Sequence, residues 1–328
     1  MLFDKETSLL SWGDFVDLYY KAKLKGSKFV LSKIFKGSFE NRVSSKWDSY
    51  ASVSDFWIVP EIKKSWNRKI SGNENIFYEE YVSKKYLQKK DLNLLSIGCG
   101  DGGHERNFAR NAHFDLIIGV DVSPESINKA KRLAAADGLP IDYRSNDFFR
   151  IDFEDKKFDV ILFNASLHHF DAIDDFLCNH INPLLKKNGM VVVYEYCGPN
   201  RLQWRNSQLK EANRLLKELP KKFKMRADGK NAKKKIYRPG LIRMLLNDPS
   251  EAPDSANLSQ ALRNNFNVLE ETKVGWNILH ILLKDISHNF LSNDQETVKL
   301  LHQLIDKEDE FVKRTGENDA IFGVYQKR

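Results

Sequence analysis

Four glycines fall within six residues, Gly98, Gly100, Gly102 and Gly103, directly after the short apolar run 94–97. Glycine at such a turn lets the backbone take positive φ and lets a ligand approach closely. Residues 105–110 can be helical, and a helix there points its unsatisfied N–H groups at whatever sits above the turn. Strand, glycine turn and helix in that order suit a nucleotide-type cofactor. Gly98-x-Gly100-x-x-Gly103 also satisfies the dinucleotide fingerprint, so the glycines alone leave NAD and other adenosine cofactors open. Asp121, just past the next apolar run at 115–120, stands about where an acid reaches a ribose.

These residues need a sheet to hold them. After Asp121 and Val122, Ser123 reads as an N-cap and Pro124 as the first residue of a helix. A third strand at 141–144 runs into Asn146, Asp147 and Phe148. A fourth at 158–163 runs into Asn164 and on to His168 and His169. The fifth, 190–194, follows a turn at Asn188 and Gly189 and ends at Glu195. Helices are expected over 103–112, 123–136 and 172–185, with Gly138 and Pro140 punctuating one return. Alternation of short buried strands with helices predicts an α/β fold on a doubly wound, mostly parallel sheet.

These five blocks, in order and over roughly residues 92–197, resemble the motifs of class I S-adenosylmethionine-dependent methyltransferases. The resemblance implies a seven-stranded Rossmann-like sheet and S-adenosyl-L-methionine as cofactor. It implies that Gly98, Cys99, Gly100 and Asp101 wrap the methionine end of that cofactor. It places Asp121, followed by Val122, at the ribose hydroxyls. It sets Asp147, after Asn146, against the adenine amino group with Phe148 stacking nearby. Asn164 and the residues after it then lie beside the reactive methyl. In this family an antiparallel last strand usually inserts between strands five and six. Here 266–273 and 320–326 read as those strands, with helices at 276–290 and 294–314 between them.

Methyl transfer from a sulfonium is an in-line displacement, so the enzyme mainly aligns an acceptor atom with the methyl. A hydroxyl acceptor must also lose its proton, and a positioned histidine or carboxylate is the usual agent. His168 and His169, just past the fourth strand, are the candidates, with Glu195 next. Asp171, Asp174 and Asp175 suit the first turn of a helix, where the macrodipole favours acids. No metal site is therefore expected.

At 328 residues the chain exceeds a minimal domain, and its net charge of +7 is moderate. Cys99, Cys178 and Cys197 are odd in number and lack metal spacing, which points to reduced thiols and a cytoplasmic protein. The start of the chain lacks the pattern of a signal peptide. Four parts are expected: a helical cap segment over 1–90, the cofactor-binding core over 91–197, a helical and basic lid insertion over 198–265, and the closing strands with their helices over 266–328. Within the cap, 15–39 interleaves lysines with aromatic and aliphatic residues. Such a segment either packs on the body with a solvated lysine face or makes peripheral contact with a membrane surface.

The insertion leaves the carboxyl end of the fifth strand, the edge where ligands bind in open sheets. Tyr196, Asn200, Arg201 and Trp204 stand nearest that end, and a tryptophan among polar side chains suits a sugar ring. Lys221 to Arg238 is a basic run, with Lys233, Lys234, Lys235, Tyr237 and Arg238 placed to meet a phosphate on the acceptor. The run 195–204, with Asp248, Pro249, Ser250 and Glu251 later, resembles bacterial methyltransferases associated with glycan and polysaccharide biosynthesis genes. That likeness implies O-methylation of a sugar or related hydroxyl on a small-molecule or glycan acceptor. RNA or protein methylation, or cofactor binding without catalysis, are the alternatives. DNA is not expected as a partner, since the prolines of the base-methylating motif are missing after Asn164.

Overall fold

The computed structural model describes residues 7–16, 19 and 55–328. Seven strands form one sheet: β1 (Leu92–Ile97), β2 (Phe114–Asp121), β3 (Asp142–Ser145), β4 (Phe158–Asn164), β5 (Leu185–Tyr196), β6 (Phe266–Gly275) and β7 (Ala320–Lys327). Their order is β3-β2-β1-β4-β5-β7-β6. The first five strands pair in parallel, and β7 runs antiparallel to both β5 and β6. The order reverses between β1 and β4, so the crevice for a ligand lies above their carboxyl ends.

The inner strands β1, β2, β4 and β5 are mostly apolar because helices cover both faces, whereas the edge strands β3 and β6 carry exposed polar residues. Neighbouring residues in a strand point to opposite sides. Leu94, Val160, Leu162 and Val192 face one core, with Trp66, Phe108 and Trp276. Leu95, Ile161, Phe163 and Val193 face the other, with Phe176 and Leu262. Each such side chain, fully buried, contributes roughly 1.5–3 kcal/mol.

Among the described residues from 55 onward, the α-helices are α1 (Pro60–Ser71), α2 (Tyr78–Tyr86), α3 (Gly103–Asn111), α4 (Pro124–Ala136), α5 (Ile173–Phe176), α6 (Asn206–Glu218), α7 (Leu241–Asn247), α8 (Leu258–Asn265), α9 (Leu279–Leu283) and α10 (Gln295–Thr315). Ser123 Oγ caps α4 by accepting from Ser126 N–H, as its position predicts. The single helix expected over 172–185 is instead α5, a π turn (Leu177–Ile181) and a 3₁₀ turn (Asn182–Leu184). Pro183 lacks the N–H that would continue an α-helix, and β5 already starts at Leu185.

No helix among the described residues is long and apolar enough to cross a membrane. Of the segment 15–39, only Phe15, Val16 and Tyr19 are described, and Phe15 and Tyr19 are exposed; the rest of that expectation lies outside the described residues. Trp66 and Trp276 are buried in an aromatic cluster with Phe56, which assigns these tryptophans to the core.

Candidate active site

The cofactor turn is built by backbone conformation and one carboxylate. Gly98, Gly100 and Gly102 have φ of 74°, 54° and 75°. Asp121 clamps this turn to the one after β2. Its Oδ2 accepts from Gly100 N–H at 2.8 Å and its Oδ1 from Ser123 N–H at 2.8 Å. Cys99 is buried, and its N–H, like that of Gly98, donates to Val120 O. Asp101 and Val122 are exposed, with Asp101 paired to Lys129.

Past β3, the exposed Asn146 accepts from Asp147 N–H, and Asp147 caps the short turn Phe148–Arg150 through Phe149 N–H at 3.0 Å. That turn sends the two phenylalanines to different places. Phe148 is 8% exposed and packs against Phe153 and Phe176, whereas Phe149 is 59% exposed. Phe148, expected to stack near the adenine, is therefore packed in the core, and its neighbour Phe149 is the exposed ring.

The loop after β4 is tied to the cofactor turn. Ser166 Oγ donates to Ile97 O at 2.6 Å, and a Cβ added at Gly98 would stand 2.4 Å from that of Ser166. Asn164 ends β4 and accepts from the buried Tyr78 hydroxyl at 3.0 Å. Glu195, with no exposed surface, holds this loop from β5. Its Oε1 accepts from Ser166 N–H and Leu167 N–H, and its Oε2 lies 2.7 Å from His168 Nδ1. A carboxylate with its oxygens so engaged positions its neighbours; it is poorly placed to serve as a base itself. On the far side of the His168 ring, Nε2 lies 3.8 Å from Glu251 Oε1. The ring of His169 lies 4.3 Å from that of His168, with its Nδ1 3.1 Å from Ser250 O.

The two histidines, treated alike by the sequence, are thus separated by their partners. Asp248, Ser250 and Glu251 join this group although they stand about eighty residues downstream. The sequence marked that run only by a likeness, without a role. A nitrogen of His169 and a carboxylate oxygen from each of Asp248 and Glu251 lie within 4.8 Å of one another, unlike Asp174 and Asp175, which stand in the first turn of α5 as expected.

The insertion residues divide into two groups. Arg201 reaches this site by donating from Nη1 to Pro249 O and Glu251 O. Burial pulls its guanidinium below the usual value, against the opposing pull of Asp171, Asp248 and Glu251. Tyr196 is 3% exposed with its hydroxyl on Pro199 O, and Asn200 accepts from Ala256 N–H, so both hold the loop. Trp204, 4% exposed, offers no open face for a sugar ring, because it packs beneath the insertion with His280 against it. Arg238 donates to Trp204 O, and with Tyr237, Arg226, Lys235 and Lys284 it lines a cavity beside Trp204, which Asp285 also borders.

The three consecutive lysines also part company. Lys233 is buried, and its ammonium donates to the carbonyls of Ile281, Leu282 and Lys284, capping α9. Lys234 and Lys235 are exposed, with the Lys235 ammonium over the Tyr237 ring.

A family model described as a methyltransferase domain matches residues 95–193. These residues form a class I methyltransferase domain. Three curated relatives match around this domain. The ubiquinone biosynthesis O-methyltransferase of Pelagibacter ubique (strain HTCC1062) is 34% identical over 37% of this chain and 48% of its own length. The sterol 24-C-methyltransferase ERG6 of Saccharomyces cerevisiae is 32% identical over 36% of this chain and 31% of its own. Phosphoethanolamine N-methyltransferase 3 of Arabidopsis thaliana is 25% identical over 54% of this chain and 39% of its own. The chain thus spans about half the length of the first and about three to four tenths of the others. Their names carry O-, C- and N-methylation, so membership of the methyltransferase domain leaves the acceptor atom open. The cofactor of the domain is S-adenosylmethionine. The turn fits it: a Cβ at Gly100 would meet nothing within 4 Å, leaving room above a backbone that Asp121 already holds.

Proposed function

We propose that this chain transfers a methyl group from S-adenosylmethionine to a hydroxyl oxygen of a small molecule, with His168 as general base. The observation that carries this reading is the buried Glu195–His168 pair on a loop packed against the cofactor turn. In this reading Gly98, Cys99, Gly100 and Asp101 border the methionine end of the cofactor, and Asp121 takes the ribose hydroxyls. Asn146 and Asp147 face the adenine, with Phe149 in place of Phe148 as the ring beside it. The cofactor supplies a methyl carbon on a positively charged sulfur. Glu195 accepts the Nδ1 proton of His168 and so keeps Nε2 as the proton acceptor, which an oxygen acceptor needs and a carbon acceptor does not need in this form.

For the acceptor we infer a sugar or related hydroxyl compound that carries an anionic group. Arg226, Lys235, Arg238 and Lys284 around the cavity beside Trp204 support the anion. The test is transfer of isotopically labelled methyl from the cofactor into fractionated cell extract, followed by mass spectrometry. A labelled O-methyl ether on a small anionic compound is expected. Label on nitrogen, on carbon, or only on protein or RNA would sink the reading.

The cofactor map has its own check. Asp121→Ala is expected to weaken S-adenosylmethionine binding by about 10–100-fold, the worth of charge-assisted hydrogen bonds of roughly 1.5–3 kcal/mol. Asp121→Asn should lose less, since one oxygen remains to hold Gly100 or Ser123. Calorimetric titration measures both, and an unchanged affinity in Asp121→Ala would remove the basis of the map.

A further inference from the structure

We propose that His169, Asp248 and Glu251 form a divalent-cation site on the acceptor side of His168. The ligand atoms come from separate pieces of chain, the turn after β4 and the loop after α7, and lie within 4.8 Å of one another. Ligands at roughly 2.0–2.2 Å from one ion stand about 3–4 Å apart, so rotamer-scale movement closes the set.

The loops that carry these groups are fixed by other contacts. Ser250 donates through its N–H and its hydroxyl to Asp248 Oδ1 at 3.0 and 2.6 Å. Arg201 fastens the carbonyls on either side of Ser250, and Asp254 Oδ2 accepts from Ile173 N–H at 2.9 Å, tying the same loop to α5. The site is thus assembled by structure that does not depend on an ion.

Charge points the same way. Glu195 and Asp248 are 0% and 2% exposed, and the Glu251 side chain is 15% exposed. The guanidinium set against them is that of Arg201, and it spends Nη1 on carbonyl oxygens. Carboxylates gathered this closely attract a divalent cation in addition to the hydrogen bonds that already serve them.

One imidazole and two carboxylates suit a first-row ion such as Mn²⁺ or Zn²⁺ better than Ca²⁺, whose ligands are oxygens. Three protein ligands leave a coordination position for a further oxygen, the arrangement of catalytic and not structural sites. Because Glu251 is also the carboxylate nearest His168 Nε2, that position lies on the side of the base. Resting on the oxygen-acceptor reading, the ion would hold the acceptor hydroxyl there.

The test uses the full chain, stripped with EDTA and titrated with Mn²⁺ while the resonance of the free ion is followed. Saturable binding near one ion per chain is expected, displaced by Zn²⁺. His169→Gln, Asp248→Asn and Glu251→Gln should each weaken it by at least about tenfold. Asp175→Asn, in the exposed first turn of α5, should not. Circular-dichroism melting and cofactor titration establish that each variant is folded. Glu251→Gln, whose side chain is 15% exposed against 2% for Asp248, carries the comparison where another variant unfolds. Absence of saturable Mn²⁺ binding, or equal binding by folded His169→Gln and Glu251→Gln, overturns the site. Because binding is read without turnover, failure to find an O-methylated product would count against the acceptor reading alone.

Discussion

His168→Gln is expected to lower kcat for hydroxyl methylation by about 10²–10⁴-fold, the usual contribution of a general base. The cofactor dissociation constant should stay as in the wild type, because the groups that clamp the glycine turn are Asp121 and the backbone. In the proposed reaction the partner of its ring favours His168 over its neighbour as the base. The Nδ1 of His168 is 2.7 Å from a carboxylate with no exposed surface, whereas the Nδ1 of His169 lies 3.1 Å from a carbonyl oxygen. A carboxylate fixes the tautomer and stabilises the imidazolium that forms; a carbonyl fixes only the tautomer. The acidic limb of the wild-type pH–rate profile should vanish in His168→Gln and persist in His169→Gln. If His168→Gln turns over within threefold of wild type, proton removal lies elsewhere.

The sheet was legible because a strand buried on both faces must be apolar throughout, and glycine, proline and acids mark its ends. The runs at 94–97, 115–120 and 158–163 needed no tertiary information, and neither did the clamp residue Asp121. Legibility failed where a choice depended on partners distant in sequence. Phe148 and Phe149 are adjacent and alike in type, and only the 3₁₀ turn decides which is buried. Lys233 lies in a run of like residues, yet the carbonyl end of α9 draws it inward. Trp204 has the side chain of a sugar platform and the environment of a core residue. The Asp248–Glu251 loop reaches His169 from eighty residues away, and nothing local in either segment announces the other. Glu195 reads as a candidate base because position at a strand end shows that a carboxylate is near the chemistry, and does not show which donors already face it.

Glu195 gives the second large effect, and two substitutions separate its parts. Glutamine has the same shape, and its carbonyl oxygen still accepts from Ser166 and Leu167 N–H. Its amide nitrogen then faces His168 Nδ1. Two donors cannot share that contact, so the imidazole proton moves to Nε2. A ring protonated at Nε2 donates toward the acceptor and cannot take its proton. Glu195→Gln is therefore expected to lose about 10²–10⁴-fold in kcat, comparable to the wrong-tautomer penalty in a Ser-His-Asp triad. Its melting temperature and cofactor affinity should remain near wild type. Alanine instead leaves three backbone amides, those of Ser166, Leu167 and Tyr196, and the imidazole without this acceptor at a site with no exposed surface. At roughly 1–3 kcal/mol for each orphaned group, Glu195→Ala should lose several kcal/mol, a large part of the ~5–15 kcal/mol that keeps a domain folded. Paired thermal melts and steady-state rates test both halves. A Glu195→Gln enzyme that is stable and fully active would show that the tautomer of His168 does not matter to the reaction. A Glu195→Ala protein as stable as wild type would show that the loop after β4 does not need this carboxylate to hold it.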